Sequence, residues 1–125
     1  MARKKLKDQK TNRVRPILTN LIGTESSDEI MEKLAAALSE TNTNMPITGK
    51  VYVYSYIADK ENFLTDLFPI VQVTGVYNWG WSAINLHIKE PRNYSFGRNV
   101  TPLYMLKPSE VQTALTLPLM QLYQN

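Results

Sequence analysis

Two periodicities divide the chain. Between Ser26 and Glu40 the apolar residues Ile30, Met31, Leu34, Ala35 and Leu38 recur at helical spacing, which gathers them on one face. Ser26 with Glu29 three residues on forms a capping box, so the pattern predicts an amphipathic helix over 27–40. Asp28 and Glu29 suit the positive end of its dipole. Glu29, Glu32, Lys33 and Glu40 line the outer face, as on a helix that covers a sheet. From Gly49 the period drops to two. Val51 to Ile57 alternates β-branched and aromatic residues, a pattern that only a strand satisfies. Phe68 to Val76 is a second strand, entered through Pro69, and Asn78-Trp79-Gly80 turns the chain into a third from Trp81 to Ile88. Residues 68–88 therefore read as a β-hairpin. Val100 to Leu106 is a fourth strand, and Pro102 inside it points to a sheet edge. The rest reads as connections: a polar linker from Ser39 to Thr48, a charged loop from Asp59 to Asp66 and a long loop from Glu90 to Asn99. Ser109 can cap a short turn through Thr113, and an apolar tail runs from Leu115 to Tyr123.

Four or five short strands joined as a meander predict an α+β fold. The expected architecture is a small antiparallel SH3-like barrel, with an OB-like barrel as competitor, preceded by the amphipathic helix and a basic arm. The expected boundaries are an arm over 1–22, helix and linker over 23–48, barrel over 49–108 and tail over 109–125. A chain of 125 residues has room for one such domain. It contains no cysteine, which excludes a disulfide scaffold, a thiolate metal site and a cysteine nucleophile. No run of apolar residues is long enough to cross a membrane, and no signal peptide is recognisable, so a soluble protein without membrane partners is expected.

Charge changes this picture at one end. The formal net charge is +3, yet Arg3, Lys4, Lys5, Lys7, Lys10, Arg13 and Arg15 face only Asp8 within the first fifteen residues. Such a block cannot bury enough surface to offset its ordering entropy and needs a partner to fold. A phosphate backbone and an acidic protein surface are the two candidate partners, and a purely solubilising tail is the third reading.

Candidate chemistry is sparse. His87 is the sole histidine, so neither a His-His metal pair nor a supported Ser-His-Asp triad can be assembled; a hydrogen-bonded structural histidine beside a loop is the simpler account. Asp59, Glu61 and Asp66 share a loop without the spacing of a calcium site. None of the five glycines forms a phosphate-binding loop. No enzyme activity, metal or cofactor is expected. Tyr52, Tyr54 and Tyr56 share one strand face that could stack bases, but cations are not interleaved there, and Val51, Val53 and Ile57 make the other face apolar too. Burial on both sides explains that strand better. Trp79 and Trp81 flank the hairpin turn, where an exposed indole would anchor an interface; Leu119, Leu122 and Tyr123 in the tail are further docking candidates.

Gly49-Lys50-Val51-Tyr52-Val53-Tyr54-Ser55-Tyr56, then Asp66-Leu67-Phe68-Pro69-Ile70-Val71, then Ala83-Ile84-Asn85-Leu86-His87, resembles small proteins of tailed bacteriophages. The resemblance covers roughly residues 49–90 and departs at Ile88-Lys89, where an aromatic would be expected. It implies a viral source and a place in the virion or the host cytoplasm, and no reaction. The expected role is structural: a virion-associated protein docking on other virion proteins through its extended termini, with homo-oligomerisation compatible. The alternative is a non-enzymatic DNA-binding protein whose basic arm follows the phosphates of packaged DNA.

Overall fold

Ser26 opens the principal helix as its spacing predicts. In the computed structural model, which describes residues 11–55, 68–96 and 102–119, its hydroxyl accepts from the Glu29 amide at 3.1 Å, and the Glu29 carboxylate accepts from the Ser26 amide. The capping box starts helix α2 (Ser27–Ala37), one turn shorter than expected. Of two further helices, α1 (Arg15–Thr19) and α3 (Pro108–Thr116), the first packs against both α2 and α3. Removing the cap by Ser26→Ala is expected to cost about 1 kcal/mol, read as a fall in Tm of a few degrees by calorimetry.

The strands are β1 (Asn42–Thr43), β2 (Val51–Val53), β3 (Ile70–Val76), β4 (Gly80–Asn85), β5 (Glu90–Ser95) and β6 (Leu103–Leu106). They form one antiparallel sheet in the order β1-β6-β2-β3-β4-β5. Strands β2 to β5 make a meander, and β6 returns to pair with β2 on its other side. This corrects three expectations. The strand expected at an edge is interior, because Pro102 precedes β6 and leaves its ladder donors intact. The loop expected from Glu90 contains edge strand β5, and the linker holds a 3-10 turn at Ser39–Thr41 and the two-residue β1.

Alternation in the strands sends side chains to two buried layers. Val53, Ile70 and Leu106 pack with Val14, Ile30, Leu34, Leu38, Ala114, Leu117 and Leu119 beneath the helices. Tyr52, Tyr54, Val71, Val73, Trp81, Ala83 and Leu103 form a second layer on the opposite face. The expected double burial of the tyrosine strand holds for Tyr52 and Tyr54, while Tyr56 lies outside the described residues. Within this second layer, the rings of Tyr54 and Tyr94 meet edge to face with centroids 5.7 Å apart. In a flat sheet β2 and β5 would stand about 14 Å apart, three strand spacings, so the sheet curls to bring these rings together. A register shift between Val73 and Gly75 gives β3 the local bend such a curl requires.

The β4–β5 turn rests on Asn85. Its buried Oδ1 accepts from the amides of His87 at 2.9 Å and Ile88 at 3.4 Å, while its carbonyl accepts from Lys89. Lys89 takes the left-handed conformation that closes the turn, with φ 58°. His87 is thus part of a structural turn. No described helix is long and apolar enough to cross a membrane.

Candidate functional site

Residues from Thr11 to Leu21, expected within the basic arm, belong to the body. Asn12 works in both directions: Nδ2 donates to the Ser109 carbonyl at 2.8 Å and to the Thr113 hydroxyl at 2.9 Å, while Oδ1 accepts from the Val14 and Arg15 amides at the start of α1. Val14 is fully buried beside Ile30 and Leu34. Arg13, expected among the outward cations, instead pairs with Glu110 in the first turn of α3. Its Nε and Nη2 donate to the two carboxylate oxygens, each at 2.8 Å, and its backbone amide adds a third bond at 2.7 Å. The guanidinium also reaches the Thr41 hydroxyl and the Met105 carbonyl, both at 3.1 Å. One side chain therefore joins α3, β6 and the 3-10 turn after α2.

Glu110 is completely shielded from solvent. Burial alone would push its carboxyl up, but hydrogen bonds from the Arg13 side chain and from the Lys107 and Arg13 amides, with the guanidinium charge, outweigh that effect and hold it below the ordinary 4.5. No local signal in the sequence couples residues so far apart. The start of α3 itself was legible in principle, since Pro108 at the first helical position and Glu110 two residues on match a helix N-terminus.

Arg15 is exposed on α1. Arg3, Lys4, Lys5, Lys7 and Lys10 lie outside the described residues, as do Leu122 and Tyr123. Leu119 corrects its expected role as a docking residue: it is fully buried with Leu117 in the layer under the helices. The tail expected from residue 109 begins as helix α3, so its first part completes the body.

The two tryptophans separate cleanly. Trp81 on β4 is buried against Tyr54 and Tyr94, which removes it from any interface and corrects that expectation. Trp79 at the hairpin tip is 48% exposed and stacks on Tyr77, with ring centroids 5.3 Å apart and planes 9° from parallel. The Tyr77 amide donates to the Gly80 carbonyl at 2.7 Å and closes the hairpin beneath them. Gly75 makes room for the tyrosine ring, since a Cβ there would collide with the Tyr77 hydroxyl. The Gly75-x-Tyr77-x-Trp79 alternation could have singled out Tyr77, which the sequence reading passes over.

Among the described residues, no three His, Cys, Asp or Glu side chains gather as metal ligands. The carboxylates Asp59, Glu61 and Asp66 lie outside them. No family model matches the chain, and neither a curated protein nor a solved structure shows significant similarity to it.

Proposed function

We propose that this chain is a bacteriophage structural protein, virion-associated, that docks in a larger assembly through its termini. The observation that carries this reading is the fastening of Asn12 and Arg13 to α3. It gives the cationic segment before them a fixed root on a folded body. A partner-seeking segment loses less entropy on binding when its near end is already held. The resemblance of residues 49–90 to small tailed-phage proteins supplies the virion context. Within the same proposal the curled sheet is an SH3-like barrel: a meander whose first strand also pairs with the returning last strand needs only further curl to close. Mass spectrometry of purified particles from the producing host tests the reading. Peptides of this chain at a fixed ratio to the other particle proteins support it, and a chain confined to the infected cell's soluble fraction sinks it.

A second reading rests on the same cations. On duplex DNA the segment would follow phosphates, and the Arg13–Glu110 pair limits how many contacts it can make. Arg13 is committed internally, so six of the seven cations are left and the log-log salt slope should be no steeper than about −5. Anisotropy of labelled duplex DNA across about 50 to 200 mM salt reads that slope. A steeper value would mean that Arg13 leaves Glu110 to bind DNA.

A further inference from the structure

The outward pleat of β3, β4 and β5 differs from the rest of the sheet. Val71, Val73, Trp81 and Ala83 point inward and are buried, whereas Gln72 and Ile84 stand opposite each other and exposed. One step along, Gly75 pairs with Ser82, and Ser82 pairs with Asn93. Ser82 Oγ lies 2.7 Å from Asn93 Oδ1 and donates to it. This bond orients the amide and leaves the Asn93 nitrogen to donate outward. At one end of the strip rises the Tyr77–Trp79 stack, whose base rests on Gly75.

We infer that this strip, an exposed Trp79–Tyr77 platform beside the pre-oriented Ser82–Asn93 pair, is a binding site for a neutral oligosaccharide. An exposed indole face offers a flat apolar surface that matches the C–H face of a pyranose, and an amide paired with a hydroxyl supplies the donors and acceptors that sugar hydroxyls need. Spacing agrees with more than one sugar unit: Gly75, under the platform, and Asn93 lie two strand spacings apart, about 10 Å. Electrostatics selects the ligand class. No described residue on this outward pleat is charged; Arg92 stands on the inward pleat beside Ala83 and pairs with Glu90 at 2.9 Å, and Lys50 neighbours the inward Val73. Nucleic acid on an aromatic platform requires cations along its path, and among the described residues this face provides none. The site goes beyond the assembly reading and stands whether or not the chain belongs to a particle.

Isothermal titration calorimetry of the full chain with neutral hexasaccharides of glucose, mannose, galactose and N-acetylglucosamine tests it, with an oligothymidylate as the competing ligand. At least one sugar is expected to bind with a Kd of about 10 µM to 1 mM, the range of a shallow site. Raising salt from about 50 to 500 mM should leave that affinity unchanged, because no charge pairs form. Trp79→Ala should weaken it by about tenfold or more and Asn93→Ala by about threefold. Both side chains are exposed, so both variants should keep the thermal transition of the parent. Silence toward all four sugars overturns the assignment. So does sugar binding indifferent to Trp79→Ala, and so does tighter, salt-dependent binding of the oligothymidylate.

Discussion

Glu110→Ala is expected to destabilise the fold by about 3–5 kcal/mol, the cost of leaving a largely shielded guanidinium without its partner. For a domain whose total stability is of order 5–15 kcal/mol, that loss removes about a fifth of it at the least. The carboxylate accepts from the Lys107 and Arg13 amides as well as from the guanidinium, so its removal strips three donor groups of a shared acceptor at once. Chemical denaturation at neutral pH reads the change. Arg13→Met combined with Glu110→Leu should recover much of the loss, because a buried pair replaced by apolar side chains of similar volume no longer carries an uncompensated charge. If Glu110→Ala cost less than about 1 kcal/mol, the pair would be energetically equivalent to an exposed one.

The same carboxyl sets a pH dependence of definite sign. Its folded value lies below the ordinary 4.5, so its contribution is fully present above 4.5 and is lost as pH falls through the lower folded value. Glu110→Gln should flatten the acid limb of the stability profile while lowering the plateau.

The second large effect is expected at Gly80. A Cβ there would run into the Tyr94 carbonyl of β5, a backbone atom that cannot rotate away. Gly80→Ala should therefore force β4 and β5 apart and cost about 2–3 kcal/mol, in the range of overpacked sites. Since Trp81 and Tyr94 pack together one residue further on, the damage should extend into the second core layer. Hydrogen exchange would show it as faster exchange of the β4 and β5 amides with α2 unaffected. Uniform loss across the molecule would instead mean that the sheet opens as one unit.

The legibility of this fold in its sequence follows the range of the forces involved. The capping box at Ser26 and the start of the alternation from Val51 to Ile57 were readable because each is decided by neighbours within a few residues, although β2 ends at Val53. Strand β5 was not, since Glu90-Pro91-Arg92-Asn93-Tyr94-Ser95 looks like a loop. An edge strand needs little inward apolar surface, and here Tyr94 supplies it against Trp81. Leu119 was misplaced for a different reason. An apolar tail fits a neighbour's surface and its own core equally well, and only the position of α3 decides between them. The platform at the hairpin tip was half legible. Trp79 stood out as a turn indole, but the orienting of Asn93 by Ser82 depends on the register between β4 and β5, which no local pattern encodes.

The Arg13–Glu110 bond also orders events in time. Its two residues are 97 positions apart, so on the ribosome the guanidinium waits about 5–20 s for its carboxylate at ordinary elongation rates. During that interval α2 can form and the β3–β4 hairpin can close, both from local contacts. The cationic segment meanwhile has no fixed root. Fastening Asn12 and Arg13 to the folded body is therefore a late step in synthesis, because it waits until the first turn of α3 has emerged.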